Sequence, residues 1–162
     1  GDLTISVGDA SVNQGDQFCV SVTADNFTDL VGMSFTLSYD ASRLSFNQAT
    51  NLNSSLPAFN AGANIGNPSP GFITVNWFNQ SLNPVTLPNG AVLFDICFTA
   101  TGTGSSDIDI TSDVATIEFS DANENVIPPV TNSGTITIQG GNSGGDLTIS
   151  VGDASVNQGD QF

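Results

Sequence analysis

Residues 17–46 read QFCVSVTADNFTDLVGMSFTLSYDASRLSF. Phe18, Val20 and Val22 alternate with Cys19, Ser21 and Thr23. Past a polar break at Asp25-Asn26, Met33, Phe35, Leu37 and Tyr39 alternate with Ser34, Thr36 and Ser38. Successive side chains of a strand point to opposite faces, so each apolar set lines one face of an extended segment. Two such runs separated by turn residues are two half-buried strands.

The same period recurs outward in both directions. Leu3, Ile5 and Val7 carry it at the start. Ile73, Val75 and Trp77 carry it later, as do Phe94, Ile96, Phe98 and Ala100, then Ile108 and Ile110, Ile117 and Phe119, and Ile136 and Ile138. No stretch shows a convincing helical period. Residues 47–71 are rich in Asn, Pro, Gly and Ala, with Leu52, Leu56 and Phe59 as scattered anchors. They read as a long loop with one short edge strand. The pattern predicts an all-β chain, with eight or nine strands packed as a two-sheet sandwich that has one apolar face per sheet.

The chain repeats itself. GDLTISVGDASVNQGDQF occupies residues 1–18 and again 145–162, a spacing of 144 residues. That spacing is the size of a whole domain rather than a solenoid unit. The expected organisation is one sandwich over 1–139, a flexible Gly/Ser/Asn linker over 140–144, and the first strand of the next identical repeat over 145–162. The second copy breaks off where the first continues into Cys19, so these residues read as a window onto a longer string of near-identical domains. Leu147, Ile149 and Val151 would plug a core as Leu3, Ile5 and Val7 do. They either open the next sandwich or complete a neighbour by strand exchange.

Charge removes several functions. The chain has one basic residue, Arg43, against 16 acids and no His, for a net charge of −15. Nucleic acid and anionic membrane need basic clusters, so neither is an expected partner. Without His there is no Ser-His-Asp triad and no His-ligated zinc. Without Lys there is no Schiff base and no phosphate-loop lysine. The acids sit beside Gly, Asn and Ser in turn contexts, where Asp caps its own backbone rather than working in a catalytic pair. An enzyme is not expected, and no apolar run is long enough to span a membrane.

Cys19 and Cys97 each fall on the outward phase of their strands. If those strands are antiparallel neighbours, the two can face each other at bridging distance. A disulfide there would close a long loop, stabilise by about 4–5 kcal/mol on the chain-entropy model, and suit an oxidising, extracellular setting. The alternative is two unpaired, idle cysteines.

The order of motifs resembles the cohesin-like family. It shows in Gly15-Asp16, Asn26, Gly32 to Phe35, Tyr39-Asp40 and Leu44 to Phe46, then LPNGAVLFDICFTATG (87–102) and IEFSDANENVIPPVTNSGTITI (117–138). The versions with FCV and ICF cysteines look like cohesin-like modules of bacterial surface tandem-repeat proteins, Bacteroidota among them. The resemblance implies a nine-stranded jelly roll in which the second and seventh strands are neighbours, placing Cys19 beside Cys97. It also implies that the opposite sheet binds a partner protein, dockerin in cohesins. The matching outward positions are Ser34, Thr36 and Ser38 with Thr74, Asn76 and Phe78, of which Phe78 is the one large anchor.

Asp121, Asn123 and Asn125 mimic the start of a calcium loop but lack its spaced terminal Glu, and Asx-rich hairpin turns give the same letters. No other cofactor is indicated. Three acceptor sequons begin at Asn26, Asn53 and Asn79. The expected role is a structural repeat of an extracellular filament, stalk or surface adhesin, partnered by copies of itself. The alternative is a module binding a surface protein or glycan.

Overall fold

Twelve strands form in the computed structural model, which describes residues 1–140. In chain order they are β1 (Thr4–Val7), β2 (Ala10–Asn13), β3 (Gln17–Asp25), β4 (Leu30–Ser38), β5 (Leu44–Thr50), β6 (Ile65–Ser69), β7 (Phe72–Phe78), β8 (Ala91–Ala100), β9 (Gly104–Thr111), β10 (Glu118–Asp121), β11 (Val130–Asn132) and β12 (Gly134–Gln139). One helical turn, α1 (Ala61–Asn64), leads into β6. One sheet has the order β11-β1-β3-β8-β5. The other runs β2-β12-β9-β4-β7-β6, with β10 also paired to β4. The two face each other as a jelly-roll sandwich. The linker residues beyond Gly140, and the second copy with Leu147, Ile149 and Val151, lie outside the described residues.

The strand count is twelve rather than nine because three strands are divided. The first and last strands each change sheets midway. β1 lies parallel to β11 in the five-stranded sheet, and β2 lies parallel to β12 in the other. The two segments cross side by side at Gly8 and Gly134. A Cβ on Gly134 would sit 2.2 Å from the Gly8 carbonyl oxygen and 2.9 Å from that of Val7, so only glycine fits. The third division separates β9 from β10. Both run antiparallel to β4, with Thr111 opposite Thr36 and Glu118 opposite Ser34. Residues 112–117 therefore leave the ladder as an excursion.

This arrangement also separates the two ends of the sandwich. Thr4 is level with Val130, and Asn13 is level with Gln139. The start of β1 and the end of β12 consequently lie at opposite poles, about 30 Å apart at the rise of a strand.

Leu3, Ile5 and Val7 are buried, as the alternation requires. The centre of the core is aromatic. Phe35 of β4 lies between Phe94 of β8 and Phe119 of β10, with ring centroids 6.3 and 6.0 Å away, and Phe27 meets Phe119 edge-on. Phe98 gathers Phe18, Tyr39 and Phe46. Each fully buried Phe contributes about 2–3 kcal/mol of transfer free energy. From residues 47–71, Leu56 and Phe59 enter the core, and β6 is an edge strand.

Cys19 and Cys97 stand directly opposite each other on β3 and β8, 4.0 Å apart at Cα, and are joined by a disulfide. Such a short separation belongs to the non-hydrogen-bonded type of antiparallel pair. Both lie on the outer face of the five-stranded sheet. Cys97 is nonetheless buried, because β5 passes beside it and brings Thr50 within 3.8 Å.

The turn after β10 is closed by Asp121. Its Oδ1 accepts from the Asn123 and Asn125 backbone N–H groups, and its Oδ2 accepts from the Asn125 amide at 3.0 Å. The Asn125 hydrogen bonds, side chain first, hold its carboxyl below the ordinary 3.8.

Two outcomes are expected. Gly134→Ala should lower stability by about 1–3 kcal/mol in urea unfolding through forced overpacking. Gly140→Ala, where an added Cβ meets nothing within 4 Å, should not. An unshifted midpoint for Gly134→Ala would show that the crossing is not tight. Asp121→Asn should melt below the parent at pH 7. A carboxyl with a lowered folded pKa stabilises above its unfolded value and loses that contribution as pH falls through the folded one. The gap in Tm should thus close below pH 3.8, and a gap that persists there would contradict the assignment.

Candidate functional site

The outward face of β4 and β7 is built by register. Gly32 is opposite Phe78, Ser34 opposite Asn76, Thr36 opposite Thr74 and Ser38 opposite Phe72. The alternate residues Met33, Phe35, Leu37, Ile73, Val75 and Trp77 fill the core. The six candidates thus share one face of one pair of strands, but they are not equivalent.

Thr36 is a correction. It is fully buried, because the 112–117 excursion folds over it. Its hydroxyl donates to the Ala115 carbonyl at 2.7 Å and accepts from the Ala115 and Val114 N–H groups at 2.8 and 3.2 Å. One side chain thus supplies the ladder partners that the excursion gave up, and it offers nothing to a ligand. Ser38 is half-buried and bonded to Thr111 and Asp113, each at 2.8 Å. Ser34, Thr74, Asn76 and Phe78 remain accessible, and Phe78 is 57% exposed.

A depression of about 410 Å³ lies beside Phe78, with Ser34, Asn64, Asn76, Glu118 and Ser120 around it. Several local devices hold it open. Gly32 has no side chain; a Cβ there would meet Ser120 Oγ at 2.4 Å. Asn60 caps α1 by accepting from Ala63 N–H, which places Asn64 to donate to the Asn76 carbonyl at 2.7 Å. Beneath, the Trp77 indole N–H donates to the Pro57 carbonyl at 2.9 Å. The 47–71 segment is therefore the support of this face rather than a plain loop.

Sequence reasoning missed Leu82 and Val114, which are 48% and 51% exposed at the two ends of the same face. Both stand on irregular segments, where no period marks a residue as outward. It missed Glu118 and Ser120 as well, because β10 reads as core around Phe119.

Other candidates are absorbed by the fold. Asp121 uses both carboxylate oxygens in its turn. Among the described residues no cluster of three acidic, His or Cys side chains is arranged for a metal. The sequon amides donate within the fold, Asn26 to the Asp2 carbonyl, Asn53 to that of Val92 and Asn79 to that of Asn83. Arg43 pairs with Asp40 and donates to the Thr103 carbonyl. Among the described residues no helix is long and apolar enough to cross a membrane.

Comparison with known proteins places this architecture. No curated protein sequence matches the chain. Among solved structures it is similar to a cohesin of Clostridium acetobutylicum, with a TM-score of 0.71 and 24% identity, covering 85% of this chain and 91% of that one. A non-cellulosomal cohesin of the archaeon Archaeoglobus fulgidus gives 0.68 and 22%, covering 85% and 91%. The sixth cohesin of Acetivibrio cellulolyticus scaffoldin B, solved in complex with a dockerin, gives 0.71 and 18%, covering 86% and 100%. The sequence profile of the cohesin domain matches residues 3–138. With that profile spanning the sandwich from Leu3 to Ile138, the chain belongs to the cohesin-domain family.

Proposed function

We propose that this chain is a unit of an extracellular tandem array whose β4–β7 face docks a partner protein. The observation that carries the docking role is Phe78, an aromatic side chain left more than half exposed beside an open depression on the outward face of β4 and β7. Interface energy concentrates in a few such anchors. Cohesins of similar fold have been solved in complex with dockerins, which makes a dockerin-type protein the first partner to test. A protein fits better than a glycan: among the described residues Phe78 is the sole aromatic of the large exposed apolar side chains, and the others on this face, Leu82 and Val114, are aliphatic. The reading is of a non-catalytic module. The Cys19–Cys97 bridge supports a place outside the cytoplasm.

The array role rests on the 18-residue duplication 144 residues apart and on the separation of the two poles, which lets successive units follow one another without folding back. Each unit would present one docking face.

In calorimetric titration with an isolated dockerin domain, Phe78→Ala should weaken binding by roughly 30-fold or more. Its melting temperature should barely move, since the ring is mostly exposed. Hydrogen exchange should slow over 32–38 and 72–78 in the complex; protection confined to the five-stranded sheet would sink the assignment. For the array, denatured and unreduced native material should run as a very large chain. Trypsin should release fragments recurring every 144 residues, with Arg43 the one cleavage site in each. A species near 16.6 kDa would refute covalent tandem units.

A further inference from the structure

One end of the docking face has a distinct chemistry. A second depression, about 480 Å³, lies between Phe78 and Leu82 on one side and Glu118, Asp121 and Glu124 on the other. Its rims are fixed. Leu82 has φ +61°, a left-handed conformation that a leucine keeps only where the surroundings impose it. They do so through Asn79, which is buried. Its amide donates to the Asn83 carbonyl at 2.7 Å, its Oδ1 accepts from Ser81 Oγ at 2.9 Å, and its carbonyl accepts from Leu82 N–H at 2.9 Å. Across the notch Glu124 is also left-handed, at φ +66°, within the turn closed by Asp121. Two strained residues, one apolar and one acidic, are thus presented to each other's side of a single gap.

Nothing in the chain balances this charge. The sole base, Arg43, is engaged with Asp40 beyond the opposite end of β4. A neutral apolar partner closing over Phe78 and Leu82 would strip water from the Glu118 and Glu124 carboxylates without pairing them, which is strongly unfavourable. The other end of the face differs. The hollow by Val114, lined by Ser34, Pro68, Thr74, Asn76 and Thr116, carries no charge.

We infer that the partner docked here presents a basic segment, an apolar side chain flanked by Lys or Arg, which seats its apolar tip on Phe78 and Leu82 and its cations on Glu118 and Glu124. This rests on the docking role of the β4–β7 face and adds the chemistry and direction of the partner. The partner's basic end lies toward the start of β4.

The test uses the whole chain and two synthetic amphipathic peptides. One is built of Lys-Leu-Leu-Lys repeats, and the other is the same peptide with every Lys replaced by Gln. The proteins are the parent, Glu118→Gln/Glu124→Gln, and Asp2→Asn/Asp107→Asn, which removes equal charge elsewhere. The Lys peptide should perturb the NMR signals of Phe78 and Leu82. Its affinity should fall roughly tenfold in the Glu pair variant and less than twofold in the Asp pair variant, and the Gln peptide should bind at least tenfold more weakly. Equal losses in the two variants would reduce the effect to overall charge and overturn the inference, as would absence of Lys-peptide binding. Gln-peptide binding at Phe78 as tight as that of the Lys peptide would overturn the basic partner while leaving the docking face standing. Perturbations that avoid the β4–β7 face altogether would remove both.

Discussion

β4 is the strand against which the seven-stranded sheet is assembled. β7 pairs with it from Gly32 to Ser38 on one flank, while β9 and β10 divide the other. Its inward side carries Phe35 into contact with Phe94 of the opposite sheet and Phe119 of β10. Its outward side carries Thr36, whose single hydroxyl makes three hydrogen bonds to the segment joining β9 to β10. A buried hydroxyl left unpaired costs about 1–3 kcal/mol, so this contact fixes where the excursion can lie. The position of the excursion then places β10, and β10 supplies Glu118 and Ser120 to the outward face of β4 and β7.

Much of the fold was legible because alternation is a local property. The inward phase of Phe18, Val20 and Val22, or of Met33, Phe35 and Leu37, needs no knowledge of the neighbours. The outward phase of Cys19 and Cys97 followed in the same way. The divided strands were not legible. The inward phase moves from Leu3, Ile5 and Val7 to Ala10 and Val12 as the chain changes sheets, and the reason is the close passage of Gly8 past Gly134, more than a hundred residues away. Thr36 fails for a related reason. Its phase is outward as read, but outward means exposed only if no other segment crosses above it, and SDVAT at 112–116 gives no sign that it does.

The candidate face was legible in its regular part and hidden in its irregular part. Ser34, Asn76 and Phe78 lie on strands and could be placed by counting. Leu82, Val114 and Glu124 owe their presentation to turns held by Asn79, Thr36 and Asp121. Each of these is a polar residue whose side chain is spent on the backbone of its own or a neighbouring loop. A sequence dense in Asn, Asp, Ser and Thr can therefore hide functional positions: the turn-holding residue is visible, and the residue it displays is not.

The parallel pairing of the first and last strands has a mechanical consequence. A load applied at the two poles would run down β1 and β2 in one direction and up β11 and β12 in the other. The paired rungs would resist by sliding together rather than opening one at a time. If that seam gave way, the tear would reach β3, where Cys19 is tied to Cys97 across a span of 78 positions. Everything between them is a closed loop that tension cannot lengthen, so the bridge sets a stop on how far the sandwich can stretch.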